Sequence, residues 1–222
     1  MSAPPCEWGL PAPRAGEPHG CPSPSPPPQD VQGRRGQFRD SGRITLLHLF
    51  SGPKGLSEGM LGQLQERGGE GREVDKAYGS PEEDDLASGP LFHELRESCE
   101  GGSYDHVHAG VPCETQSCAH DDILRPRRDP DGPPPELEGA RLAAALAAVE
   151  ESDLLRQRAL QLALLVFLAG GTFSFEQPAD RGDPHLTFFW DAVGGQRASM
   201  AQMPDVKAFI VATGAVWIYA PH

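Results

Sequence analysis

Cys113 directly follows Pro112 at the end of the apolar stretch 106–111, and Glu176 directly follows Phe173-Ser174-Phe175. A thiol held at a strand end can serve as a nucleophile once it is ionised or paired with a base. A carboxyl group in the same setting can hold or donate a proton. Earlier in the chain, Phe50-Ser51-Gly52-Pro53-Lys54-Gly55 follows the apolar run 44–50. A glycine-bearing loop lets the backbone approach a ligand closely. One ligand loop and one thiol at a common sheet edge point to a cofactor-dependent enzyme with a cysteine nucleophile. Each feature also has a plainer reading: a core thiol, a strand-to-helix turn, a solvated carboxylate. His93, His106, His108 and His120 have no ligand spacing, so no metal site is expected.

These groups need a scaffold that brings strand ends together. Residues 44–50, 73–77, 106–111, 172–175 and 216–219 read as strands. Residues 56–67, with apolar positions 56, 60 and 64, read as a helix, as do 91–99 and 204–213, the last with Pro204 in its first turn. The stretch 137–169 is strongly helical and is expected to be two helices broken near 150–153, with Gly170-Gly171 ending the second. Its segment 154–168 reads as core packing alone. Strands alternating with helices predict a parallel sheet with helices on both faces, and ligands in such sheets bind beyond the carboxyl ends of the strands. Residues 120–135 read as a polar, proline-broken loop, in which Arg125, Arg127 and Arg128 form a solvated patch.

The chain has 222 residues, 23 Pro and 26 Gly, much of the excess lying at its front. Residues 1–42 are expected to be a disordered Pro/Gly/Arg-rich tail, and 43–222 one domain. The formal net charge is -13, a poor match for gripping a long run of duplex phosphate. Five cysteines without a CxxC pair read as free thiols in a reducing compartment. The longest apolar stretch, 160–169, is too short to span a bilayer, and no signal-peptide pattern opens the chain. The expectation is a soluble, intracellular monomer, nuclear or cytoplasmic.

Three motifs in order resemble the S-adenosylmethionine-dependent C5-cytosine methyltransferases. Phe50-Ser-Gly52-Pro-Lys54-Gly55 is similar to the family's cofactor loop, Phe-x-Gly-x-Gly-Gly. Pro112-Cys113-Glu-Thr-Gln-Ser117-Cys-Ala119 keeps the Pro, Cys, Ser and Ala of its nucleophile loop. Phe175-Glu176-Gln177-Pro178 resembles its Glu-Asn-Val or Glu-Asn-Pro element. The resemblance covers roughly residues 43–222. It implies a Rossmann-like methyltransferase fold in which Cys113 adds to C6 of cytosine and Glu176 holds the base. It places S-adenosylmethionine against Phe50, Ser51, Gly52, Gly55 and Pro112, with Asp75 and Asp85 where the family contacts ribose and adenine. It also implies a nucleic-acid substrate, DNA rather than RNA, and puts the loop after the nucleophile on the nucleic-acid side.

The chain departs from the family at His48 for Asp, Lys54 for Gly, Gln116 for Phe and Gln177 for Asn. Lys54 would either crowd the cofactor's methionine end or pair with its carboxylate. The family's arginine-bearing motif and target-recognition region would lie beyond residue 222, so the resemblance implies a domain lacking its C-terminal part. The alternative is a catalytically inactive methyltransferase-like interaction module. A third reading, a Rossmann-like hydrolase using Cys113, lacks a well-placed histidine after a late strand.

Overall fold

The computed structural model describes residues 42–115, 123–131, 134, 137–177 and 198–218. The expected tail up to residue 41, Gln116, Ser117, Ala119 and Tyr219 lie outside that set.

The chain runs β1 (Thr45–Leu49), α1 (Met60–Glu66), β2 (Glu70–Val74), α2 (Pro81–Asp84), α3 (Gly89–Glu100), β3 (His106–Ala109), α4 (Gly139–Leu168), β4 (Thr172–Phe175), a 3-10 turn (Met200–Gln202) and α5 (Pro204–Thr213). The four strands form one parallel sheet in the order β2-β1-β3-β4. This is an α/β, Rossmann-like fold. From β1 the chain steps outward to β2, then crosses back over β1 to β3 and on to β4. The order therefore reverses between β1 and β3, and a crevice opens there at the carboxyl edge.

The two sheet faces differ in chemistry because side chains alternate along a strand. Leu47, Leu49, Val107 and Ala109 share a buried core with Leu91, Leu95 and Cys99 of α3 and with Ala159, Leu162 and Val166 of α4. Phe173 and Phe175 pack edge-on against Phe209 of α5 on that side. Each fully buried leucine contributes roughly 1.5–3 kcal/mol over leaving it exposed. On the opposite face Leu61 of α1 lies directly over Gly71. The same face of β1, β3 and β4 carries His48, His106, His108, Thr172 and Ser174.

Several expectations shift. Helix α1 begins at Met60, not 56, because Leu56 to Gly59 close a turn of their own through Gly59 N–H to Leu56 O (3.0 Å). The second strand is displaced to Glu70–Val74, because the Asp75 carboxylate accepts from Ala77 N–H (2.9 Å) and turns the chain. Helix α4 runs unbroken from Gly139 to Leu168. Its 150–153 stretch contains acidic residues but no Gly or Pro, and Asp153 is bound by two arginines. The segment does more than pack: Arg156 and Arg158 hold neighbouring loops and helices. Residues 216–218 form no strand, and Val216 and Ile218 are exposed.

The largest correction concerns Arg125, which is 1 % exposed and lies in no solvated patch. Its guanidinium donates to Thr115 Oγ1 (3.0 Å), Val149 O (3.2 Å) and Asp153 Oδ1 (2.6 Å). Asp153 also accepts from Arg156 (2.5 Å), which reaches Asp205 at the start of α5 (2.9 Å). Thr115 Oγ1 lies 3.0 Å from Ser152 Oγ. This network pins the loop after β3 onto α4 and α5.

Candidate functional site

Three loops meet along the carboxyl edge, tied by hydrogen bonds that run across the sheet. Phe50 N–H donates to Val74 O (2.7 Å), Gly110 N–H to Leu49 O (3.2 Å), and Glu176 N–H to Ala109 O (2.9 Å). Gln177 Nε2 donates to Val111 O (2.5 Å), which fastens the loop after β4 to the loop that carries Cys113. A Cβ placed on Gly110 would lie 3.6 Å from Phe50 O, so the loop after β1 and the loop that carries Cys113 approach closely. Phe50, Pro112, Cys113 and Glu176 thus lie on loops sharing one rim, with the first two loops beside the β1/β3 reversal.

The loop after β1 is shaped by its backbone. Phe50 is the sole non-glycine residue with positive φ (58°) among the described residues. Such a conformation costs on the order of 1–3 kcal/mol and clusters at ligand sites. Gly52 and Gly55 are also left-handed (φ 74° and 71°), and a Cβ on either would meet nothing within 4 Å. Their φ values favour glycine, and they face open space. Gly52 N–H donates to Asp75 Oδ2 (2.8 Å) and Gly55 N–H to Glu73 Oε2 (3.0 Å). Asp75 therefore braces this loop. Two backbone N–H groups take part of its capacity, and a carboxylate offers about four acceptor positions.

The other acidic and basic groups at the rim are engaged with one another. Asp85 accepts from Ala87 N–H (2.9 Å) and pairs with Lys76 (3.3 Å). Lys54 is held by the carboxylate of Asp84, which turns its ammonium toward α2. Ser51 is half-buried, with its hydroxyl 3.4 Å from Gly52 O.

Cys113 is a half-buried free thiol. Burial pushes its pKa above the ordinary value and the charge of Glu114 adds to this, while a backbone hydrogen bond pulls the other way. Cys99, fully buried in the core, is pushed up to about 12. Glu176 projects into solvent, its side chain 73 % exposed and Oε2 3.9 Å from His108 Nε2.

A polar row beside Glu176 escaped the sequence reading. His106 Nδ1 lies 2.8 Å from Thr172 Oγ1 and Nε2 2.9 Å from Ser174 Oγ. The same Ser174 Oγ lies 2.8 Å from His108 Nδ1. His48 stands edge-on to His108, ring centroids 5.0 Å apart, and its buried Nδ1 has no hydrogen-bond partner among the described residues. Period-two spacing on two strands was the available signal: His106/His108 and Thr172/Ser174.

Burial lowers the pKa of all three histidines; for His108, where His48 and His106 add to the effect and Glu176 opposes it, the value falls to about 4. Below an unfolded value of 6.5 the unfolded chain binds more protons than the native one, so stability rises with pH in that window. We expect unfolding stability to be fully present above about 6.5 and to fall as pH drops toward about 4. Urea midpoints across this window, with His108→Gln showing a shallower fall, check it.

No group of three or more His, Cys, Asp or Glu side chains among the described residues is arranged to hold a metal ion. None of the described helices is long and apolar enough to cross a membrane. No protein-family model, curated protein or solved structure matches the chain.

Proposed function

We propose that this domain transfers a methyl group from S-adenosylmethionine to C5 of cytosine in nucleic acid, through an adduct at Cys113. The observation that carries the reading is the tied rim: the loop after β1, the Cys113 loop and the Glu176 loop are fastened to one another at the edge where the strand order reverses. Those loops also carry the three motifs that resemble the C5-cytosine methyltransferases.

The residues of the first loop fit the cofactor. Gly52 and Gly55 face open space and would present backbone to it, and Asp75 keeps acceptor capacity for ribose hydroxyls. S-adenosylmethionine, when bound, supplies an electrophilic methyl group. Cys113 as a thiolate adds to C6 of the base, and the C5–C6 electron pair becomes available at C5. Glu176 holds N3 and the exocyclic amine and offers the proton that offsets charge as the adduct forms. After transfer a solvent water takes the C5 proton, its bonding pair restores the C5=C6 double bond, and the thiolate leaves C6. In a duplex the base must first leave the stack.

A second reading, an inactive methyltransferase-like interaction module, draws on the Cys113 thiol: burial and Glu114 both hold it protonated. Calorimetric titration with S-adenosylmethionine tests the cofactor part. The expected result is saturable binding, weakened about tenfold or more by Asp75→Ala, since one lost hydrogen-bonding carboxylate is worth roughly 1.5–3 kcal/mol. Absence of saturable binding by the parent chain would sink both the cofactor site and the transferase reading.

A further inference from the structure

We propose that Arg158 of α4 is a positioning residue for the cofactor half of the site: it clamps the segment that follows β2, and that segment holds the glycine loop after β1. Its effect on S-adenosylmethionine rests on the function proposed above; the clamp itself rests on hydrogen-bond geometry.

Residues 75–88 supply the groups that hold the glycine loop. At one end Asp75 accepts from Gly52 N–H (2.8 Å). Further along, Asp84 is 4 % exposed, holds the Lys54 ammonium and accepts from Ser80 N–H (2.9 Å). A Cβ on Gly79 would collide with the Asp84 carboxylate, so the missing side chain at Gly79 is what lets this acid turn inward. The one helix within the segment, α2, is a single turn. A helix that short has little stability of its own, so the placement of the segment depends on what it is tied to.

Helix α4 supplies the ties. Arg158 Nη1 donates to Leu86 O (2.7 Å) and Ser88 O (3.0 Å), two carbonyls just beyond Asp84 and Asp85. Its guanidinium lies over the Phe92 ring of α3, with Cζ 4.7 Å from the centroid, which fixes the direction of the side chain. Glu151, about two turns earlier on the same side of α4, pairs with Lys76 (3.1 Å), the residue after Asp75. Both ends of the segment are thus fastened to one side of one helix. The Lys76 pair is exposed on both partners and contributes little. The Arg158 bonds are part-buried and charge-assisted, the stronger kind. Ser152 and Asp153 stand on another side of α4, where they meet Thr115 and Arg125. The helix therefore ties the cofactor-side segment and the Cys113 loop through separate contacts, and a change at Arg158 reaches the first and not the second.

The test pairs amide hydrogen exchange with calorimetric titration on the full chain. Arg158→Met keeps an extended apolar side chain and removes both bonds. Exchange should quicken by about tenfold or more in peptides spanning 51–55 and 84–88, and stay unchanged in 107–115. Affinity for S-adenosylmethionine should fall by about tenfold. The rate of adduct formation with a 5-fluorocytosine oligonucleotide at saturating cofactor should not change. Arg158→Lys, which keeps the charge and reaches one carbonyl, should recover part of both losses; it decides the matter if the methionine variant fails to fold. Asp84→Asn in the Arg158→Met background should weaken binding by less than it does alone, because both act through Lys54. Unchanged exchange at 51–55, or exchange at 107–115 and adduct rate worsening along with it, would make Arg158 an ordinary structural contact and overturn the proposal. Quickened exchange at 51–55 in a chain that binds no S-adenosylmethionine keeps the clamp and removes the cofactor reading. Equal saturable binding by the parent and both Arg158 variants keeps the cofactor reading and removes the positioning role.

Discussion

Asp153→Asn is expected to lower the unfolding free energy by about 3–5 kcal/mol, the usual cost of stripping the partner from a buried charge. Arg125 has a side chain with no solvent exposure, and Asp153 is the one carboxylate bonded to it among the described residues. Arg156 is protected from the same fate, because Asp205 holds it from the far side. The asparagine keeps the shape and leaves the Arg125 cation uncompensated. Arg125→Met in the Asp153→Asn background should recover a good part of the loss, since a buried pair replaced as a whole by apolar or neutral groups is often nearly neutral. Denaturant unfolding of the three variants measures this. A loss under about 1 kcal/mol for the single change, which is ordinary for surface positions, would mean that Arg125 does not depend on Asp153. The prediction bears on function because Thr115, two positions beyond Cys113, is one of the groups that Arg125 holds.

The second large effect is chemical. Cys113→Ser should abolish formation of a denaturation-stable adduct with a 5-fluorocytosine oligonucleotide in the presence of S-adenosylmethionine. Glu176→Gln should slow it by roughly 10²–10⁴-fold, the range for a positioned acid. In the reaction proposed above, the thiolate leaves only after C5 loses a proton; fluorine in that place blocks the step and keeps the carbon–sulfur bond. Because burial raises the Cys113 pKa, the adduct rate of the parent chain should climb with pH through neutrality as the thiolate fraction grows. A flat pH profile would assign the nucleophile elsewhere.

Much of the scaffold was legible because strong local signals sat at its joints. Gly170-Gly171 and Pro204 bracket β4 and α5, and both elements fall at the expected positions. The parallel sheet followed from strand–helix alternation. The positions read as loops at strand ends did come to one edge, because strand ends in a parallel sheet share that edge whatever the register. The misreadings were of tertiary origin. Glu150 to Asp153 resembled a break since four polar residues interrupt an apolar helix, yet nothing there removes an N–H. Arg125 read as solvated because the groups that bury it come from Thr115, Val149 and Asp153. The histidines on β3 were weighed only for the spacing of metal ligands. The register that sets His106 beside Thr172 and His108 beside Ser174 is not written in either strand alone.

The most direct trial of the convergent rim is mass analysis of the parent chain incubated with the 5-fluorocytosine oligonucleotide, with and without S-adenosylmethionine. The account predicts a covalent species that survives denaturation, requires the cofactor, and maps by proteolysis to Cys113. A chain that forms no covalent species with the oligonucleotide under alkaline as well as neutral conditions, or an adduct that maps to another cysteine, would contradict it.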